Sequence, residues 1–159
     1  MDVTMRLIAA PALALALTGC SITQTVTPVS LSTTQSPEIC TIPAEGLREG
    51  FNTTYTAQLR SKGFHTRELP PGSPPASCAL STTYIGKWSW DMALYMSFAQ
   101  IQVFENGRQV GQALYDSTSG GARMGKFIDA QNKIIEMTNQ LFPEVVYGTT
   151  RPDLPSVPD

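Results

Sequence analysis

The side chains of this 159-residue chain best suited to catalysis or metal binding are three cysteines and a single histidine, His65. Nucleophilic catalysis needs a serine or cysteine held beside a base, and no known spacing places one next to His65. No pair of carboxylates stands in a motif either. A zinc site of cysteine and histidine usually takes four ligands, which a chain with one histidine can hardly supply. We therefore expect no enzymatic activity, no metal site and no cofactor.

The amino terminus has the anatomy of a signal peptide. Residues 7–17 are apolar, Arg6 precedes them, and small residues follow. The stretch is shorter than the roughly 20 residues that a membrane-spanning helix needs. Residues 1–19 are therefore predicted to be a removable signal peptide, with Met5 as an alternative start to Met1.

The segment Leu17-Thr18-Gly19-Cys20 resembles the lipobox of bacterial lipoproteins. The resemblance implies cleavage before Cys20, attachment of lipid to its thiol, and a location outside the cytoplasm. Ser21 stands where an aspartate would retain a lipoprotein in the inner membrane, so the resemblance implies a lipid anchor in the outer membrane, facing the periplasm. The alternative is an ordinary secretory signal with a chance cysteine.

Cys40 and Cys78 remain as an even pair once Cys20 carries the lipid. In an oxidising compartment such a pair predicts one disulfide. Two free, buried thiols are the alternative, because unpaired cysteine behaves as a small apolar residue.

A glycine-rich segment, residues 120–127, nearly fits the P-loop pattern. Phe127 stands where that pattern needs the serine or threonine that binds Mg²⁺, and the periplasm offers no ATP. The segment is therefore interpreted as a glycine turn into a helix. Arg123 and Lys126 would assist any anion bound at the amino terminus of that helix.

Aromatic residues form the other candidate site. Tyr84, Trp88 and Trp90 alternate along one predicted strand and so share one of its faces. Such a face can grip a sugar or a peptide, but aromatic side chains are also ordinary core material. Both interpretations stay open.

Composition sets the class of protein. The chain has a sequence pI near 5.3, a formal net charge of −2 and no run of basic residues. It therefore lacks the positively charged surface that nucleic-acid binding requires. Residues 37–143 are predicted to form a single domain, large enough to fold alone. Uncharged residues 20–36 predict a tether, part of which could pair as an edge strand, and the proline-rich residues 144–159 predict a disordered tail.

Hydrophobic periodicity places the elements of the domain. Strands are predicted at residues 37–43, 64–69, 82–90, 93–105 and 108–117, and amphipathic helices at 45–62 and 125–142. The apolar stripe on the last segment favours the order β-α-β-β-β-α over β-α-β-β-β-β. Because both helices must cover one apolar face, the fold class is α/β (α+β): a two-layer sandwich with a mixed, mostly antiparallel sheet.

The dipeptide Asn106-Gly107 is the strongest hairpin signal, since a type I′ turn needs positive φ at both central positions. Counting outward from this turn predicts the cross-strand pairs Val103 with Val110, Ile101 with Gln112 and Ala99 with Leu114.

The chain resembles the Sbal-type family of small, uncharacterised bacterial lipoproteins over about residues 38–143. The motifs that carry this resemblance are Ile39-Cys40, Glu49-Gly50-Phe51, Gly63-Phe64, Leu69-Pro70-Pro71-Gly72-Ser73, Cys78, Thr83-Tyr84, Trp88-Ser89-Trp90-Asp91, Ala93-Leu94-Tyr95, Ala113-Leu114-Tyr115-Asp116 and Gly125-Lys126-Phe127-Ile128. The resemblance implies an outer-membrane lipoprotein without an assigned activity.

Two functions are compatible with these observations. The first is a non-enzymatic envelope component that binds another envelope protein. The second is a module that binds a glycan or small ligand on the aromatic strand face. In both, the membrane is reached through the lipid anchor, and neither nucleic acid nor a metal is a partner.

Overall fold

The computed structural model describes residues 22–31, 38–119 and 124–143. The predicted signal peptide, the lipid site Cys20, the predicted anion ligand Arg123 and the predicted tail lie outside these ranges.

One mixed sheet of six strands forms the first layer of the fold. Its strands are β1 (Thr23–Thr27), β2 (Glu38–Pro43), β3 (His65–Glu68), β4 (Leu80–Asp91), β5 (Ala93–Glu105) and β6 (Arg108–Asp116). They lie in the order β1-β6-β5-β4-β2-β3, with β2 parallel to both of its neighbours and the other pairs antiparallel.

Two helices, α1 (Glu49–Ser61) and α2 (Ala130–Leu141), form the second layer. Their buried residues join the buried residues of the sheet in one apolar cluster. The predicted two-layer α+β sandwich is thus confirmed. The parallel pairing of β2 and β3 through α1 is the crossover unit that short βαβ connections favour.

Both helices begin several residues later than their periodicity predicts. Gly46 adopts a φ of +71° and turns the chain before α1. Ahead of α2, a short 3₁₀ turn at Met124–Lys126 is followed by Asp129, whose side chain accepts a hydrogen bond from the Asn132 amide at 3.0 Å. An aspartate in this position caps the helix, so α2 begins after it.

The five strands predicted by residue range correspond to β2–β6, but the order β-α-β-β-β-α, which ends correctly in a helix, contains only four strands, whereas the structure has six. Three strands, not two, separate β3 from α2. The sixth strand, β1, lies within the predicted tether and pairs with β6 at the sheet edge, in the edge-strand role that was open for this segment, although its bounds and partner were not predicted. Its sequence TQTVT alternates weakly, and its pairing partner is about ninety residues away, so local pattern carried little signal.

Side chains of β1 also reach the second layer. Gln24 donates hydrogen bonds to Glu136 and Gln140 of α2 and accepts one from Lys133 at 2.9 Å. Further along, the Val29 amide donates to the Leu141 carbonyl at 2.8 Å. These contacts tie the residues that follow the predicted lipid site to the domain.

The turn between β5 and β6 is confirmed. Asn106 has a φ of 51° and Gly107 a φ of 79°, which are the positive values that the turn requires at both positions. Glu105 pairs with Arg108 directly across it.

The predicted register of this hairpin is wrong. The structure pairs Val103 with Gly111, Ile101 with Ala113 and Ala99 with Tyr115. A bulge beside Phe104 places one extra residue in β6, and a shift of one residue exchanges the two faces of a strand. Gln112 therefore lies in a hydrogen-bonded row with Gln102 and Gln109, while Gly111, Ala113 and Tyr115 are buried.

Candidate binding site

A groove of about 680 Å³ opens between the first turns of both helices and the end of the β4–β5 hairpin. The residues that line it are Arg48, Glu49, Gly50, Phe51, Thr54, Trp88, Leu94, Tyr95, Met96, Ile128, Asp129, Ala130, Gln131 and Ile134. Its floor is apolar and its rim carries both signs of charge. We call it the helix-hairpin groove.

Trp88 is the central aromatic side chain of the helix-hairpin groove. A bulge between Lys87 and Trp88 sets its register, and its ring meets Phe51 edge to face with centroids 6.3 Å apart. The Arg48 guanidinium lies 5.3 Å from the Trp88 ring centroid, within the range of a cation–π contact. Trp88 remains half-buried, so one part of its ring is available from the groove.

Close packing against Gly86 holds the Trp88 ring in place. A Cβ atom at Gly86 would lie 2.8 Å from atoms of both the Trp88 and Phe51 rings. Only glycine leaves room for the two rings to cover the strand at this point.

Tyr84, the second predicted binding residue, belongs to the core. Its ring stacks on Phe51 at 5.8 Å, and its hydroxyl donates a hydrogen bond to Oδ1 of Asn52. Burial raises the pKa of Tyr84 well above its usual value. The ring lies beneath α1 and is not presented to a ligand.

Trp90, the third predicted binding residue, lies outside the groove. Its side chain is 75% exposed and lies directly across from Leu94 in the hairpin register. The three alternating aromatics thus become a core residue, a groove residue and an exposed residue. They do not form one continuous face, because α1 covers the first and the hairpin extends beyond the helices at the last.

Lys126, the described member of the predicted anion site, is buried and engaged. Its ammonium group forms an ion pair with the Asp91 carboxylate and lies 5.3 Å from the Tyr95 ring centroid and 5.2 Å from the Phe127 ring centroid. The anion that it holds is therefore a side chain of the β4–β5 hairpin.

The predicted disulfide is present between Cys40 and Cys78, whose Cα atoms are 6.3 Å apart. It joins the middle of β2 to the segment that leads into β4. Arg67 of β3 donates a hydrogen bond to the Cys78 sulfur at 3.3 Å. The bond closes the proline-rich loop onto the sheet, on the side away from the helix-hairpin groove.

His65 lies exposed on the edge strand β3. Within the described ranges no three His, Cys, Asp or Glu side chains come together as a group that could hold a metal ion. In the same ranges no helix is long and apolar enough to cross a bilayer.

Several groove residues carry no sequence signal of their own. Arg48, Leu94 and Ile128 belong to three segments that meet only after folding. Met92 is a further residue that the sequence did not single out, and it is 88% exposed at the end of the hairpin. An apolar residue inside a tight turn, between Asp91 and Ala93, is the signal that could have identified it.

The sheet order and the two covering helices define the class: a two-layer α+β domain with an open groove at one end. The chain is similar to solved structures of PelC from Paraburkholderia phytofirmans, which are described as dodecamers. One aligns over 76% of this chain and 94% of its own at 9% identity, with a TM-score of 0.49. A single-residue variant aligns over 76% of this chain and 95% of its own at 10% identity, with a TM-score of 0.52. At this identity the likeness concerns the fold alone.

No family model and no curated protein sequence matches the chain. The resemblance to the Sbal-type family therefore stays a hypothesis.

Proposed function

We propose that this chain is a lipid-anchored, non-enzymatic component of the cell envelope, held at the periplasmic face of the outer membrane, that works by binding another envelope protein. The lipobox-like segment ending at Cys20 supports the anchor and the location. The resemblance to the Sbal-type lipoproteins supports the same assignment.

The helix-hairpin groove is the feature that supports binding of a protein partner. Its floor is built from half-buried or buried apolar side chains such as Trp88, Met96 and Ile134, and its rim carries Arg48 and Asp129. Apolar centres with polar rims are the usual anatomy of protein interfaces. Tryptophan and arginine are also the residue types most enriched among those that dominate binding energy.

A second copy of this chain is one candidate partner. PelC, whose fold is similar, is described as a dodecamer. Self-association can be measured separately from binding to another protein, by the mass of the purified chain in solution.

A glycan or small ligand is the alternative occupant of the groove. The observation that favours it is the half-buried Trp88 ring, one face of which is covered by the Arg48 guanidinium. Aromatic rings with an adjacent polar group are common platforms for sugars. The two functions predict different crosslinking results.

Site-specific photo-crosslinking in intact cells distinguishes them. A photoreactive residue at Gln131, on the groove rim, is expected to form one discrete protein adduct, and Trp88→Ala is expected to remove it. The matched control is the same photoreactive residue at Arg108, which is exposed at the opposite end of the sheet and should form no such adduct.

An absent adduct at Gln131, together with quenching of tryptophan fluorescence by peptidoglycan fragments, would favour the ligand-binding alternative. If neither result appears, binding through the groove is wrong. The anchor is tested independently: Cys20→Ser should abolish incorporation of a palmitate analogue, and label in the serine variant would contradict lipidation at Cys20.

A further inference from the structure

Four large apolar side chains remain exposed in the described ranges. Trp90 is 75% exposed, Met92 88%, Leu94 52% and Met124 79%. The first three occupy the end of the β4–β5 hairpin, residues 90–94, which we call the hairpin tip. An apolar cluster of this kind on a folded surface marks a site of contact with a partner or a membrane.

Two features describe the backbone and the charge of the hairpin tip. Met92 adopts a φ of 59°, a conformation that side-chain-bearing residues other than Asn, Asp and His seldom take. The Asp91 carboxylate forms an ion pair with the ammonium group of Lys126, whose side chain is buried. The Asp91 side chain is still 53% exposed, so its paired carboxylate forms a polar edge beside the apolar side chains of the hairpin tip.

The sheet register shows where the hairpin tip points. Lys87 of β4 pairs with Phe98, Phe98 pairs with Asp116, and Asp116 pairs with Thr23, the first residue of β1. These four residues form one line across an end of the sheet. Beyond that line β4 continues to Asp91, and the chain turns at Met92, five residues past Lys87 and so about 17 Å further at the rise of an extended strand.

The amino-terminal chain leaves the sheet across the same line. β1 is antiparallel to β6, so Ile22, which precedes Thr23, lies off the end at which the hairpin projects. Ile22 lies beside Gly125, since a Cβ atom at that glycine would be 3.6 Å from Cδ1 of Ile22. Met124, the fourth exposed apolar residue, is the neighbour of Gly125.

Cys20 is two residues from Ile22, and two residues span at most about 7 Å. The four exposed apolar side chains therefore lie at the end of the molecule from which the chain leads to the predicted lipid site. A lipid attached there brings a bilayer surface to this end.

We propose that the hairpin tip and Met124 insert into the interfacial layer of the bilayer that holds the lipid of Cys20. This inference rests on the lipid anchor in the proposed function. Tryptophan prefers the membrane interface, and apolar side chains on a rigid turn can enter it without loss of backbone hydrogen bonds. With two attachment points the domain keeps one orientation: the helix-hairpin groove lies next to the membrane and the Asn106-Gly107 turn points away.

Fluorescence of Trp90 tests this proposal in the full lipidated chain. Trp88→Phe leaves Trp90 as the only tryptophan. The variant is reconstituted into phosphatidylethanolamine and phosphatidylglycerol vesicles with brominated acyl chains. Trp90 emission should shift to the blue on reconstitution and be quenched by the bromine atoms. Trp90→Phe, which reports on Trp88 in the groove, should be quenched less.

Met92→Asp combined with Leu94→Asp should abolish the quenching of Trp90 while the protein stays in the vesicle fraction. Both side chains are exposed, so the substitutions leave the core intact. Asn139→Asp is the matched control: it adds a negative charge at an exposed position on α2, remote from the hairpin tip, and should leave quenching unchanged.

If the chain takes up the palmitate label and is found in the vesicle fraction but its Trp90 is not quenched, the membrane contact of the hairpin tip is wrong. The lipid anchor is then still supported. The same holds if the Trp90 signal follows protein concentration and not bromine content, because a second copy then covers the hairpin tip. A chain that takes up no palmitate label and stays out of the vesicle fraction overturns the anchor and this proposal together.

Discussion

The Tyr55 hydroxyl and Oγ1 of Thr82 share a buried hydrogen bond of 2.8 Å, which joins α1 to the beginning of β4. Tyr115, at the other side of the core, is equally buried, but its hydroxyl has no hydrogen-bond partner among the described residues. Two tyrosines in one core thus differ in whether the buried hydroxyl has a hydrogen-bond partner.

Removal of the hydroxyl should therefore destabilise the protein at Tyr55 but not at Tyr115. Tyr55→Phe leaves the Thr82 hydroxyl unpaired and should lower the free energy of unfolding by about 1–3 kcal/mol. Tyr115→Phe removes an unsatisfied polar group and should leave that free energy unchanged or raise it by about 1 kcal/mol. Urea unfolding of the two variants, followed by circular dichroism, measures both. Equal losses would contradict the assigned hydrogen bonds.

Gly86→Ala should disturb the groove through Trp88. The new Cβ atom would lie 2.8 Å from the Phe51 and Trp88 rings, so a cost on the order of 1–3 kcal/mol is expected, with a red shift of Trp88 emission in a Trp90→Phe background. Gly50→Ala is the matched control, because a Cβ atom at Gly50 meets nothing within 4 Å. A Trp88 spectrum that is the same in both variants would show that Gly86 does not position the ring.

Reduction of the Cys40–Cys78 disulfide should lower stability substantially. The two cysteines are 38 residues apart, and the chain-entropy model assigns about 4 kcal/mol to closing a loop of that size. Chemical unfolding with and without a reductant measures the difference. The Cys40→Ala, Cys78→Ala double variant should not respond to the reductant. Alkylation of both cysteines of the native chain in denaturant without reductant would contradict the bond.

Glu136 should make stability sensitive to acid. Hydrogen bonds from Lys133 and Gln24 lower the pKa of Glu136 below its ordinary value of 4.5. The stabilisation is therefore present above the unfolded-state pKa and is lost as the pH falls through the folded-state pKa. Because the carboxylate is partly exposed, Glu136→Gln should cost only about 0.5 kcal/mol at pH 7.

The measurement is urea unfolding of wild type and Glu136→Gln at neutral and at strongly acidic pH. The difference between the two proteins should disappear in acid, where the wild-type side chain is also uncharged. Glu45→Gln, at an exposed position before α1, is the control for a change of net charge. A difference that persists unchanged in acid would show that the charge of Glu136 plays no part.

Local features of the sequence predicted those elements whose geometry depends on neighbouring residues. Phe51, Tyr55 and Leu59 are spaced four residues apart, and this spacing identified α1, because residues four apart lie on the same face of a helix. Asn106-Gly107 identified the β5–β6 turn because its two residues alone provide the positive φ values. The fold class followed from the order of such elements and their apolar faces.

The register of β6 and the pairing of β1 required the tertiary structure. A bulge is one extra residue in a strand, and the Asn106-Gly107 turn does not indicate that one follows it in β6. The pairing of β1 with β6 joins segments about ninety residues apart, for which no local pattern exists.

For the candidate site, too, the sequence predicted one part and the tertiary structure determined the rest. Alternation alone placed Tyr84, Trp88 and Trp90 on one face of a strand, and their chemistry looked equivalent. Which of them is buried depends on how far α1 extends over β4, so the folded chain covers Tyr84, half-covers Trp88 and leaves Trp90 in solvent. Residue type and spacing are properties of a segment, whereas exposure and charge pairing, as in Lys126 with Asp91, depend on segments brought together from distant parts of the chain.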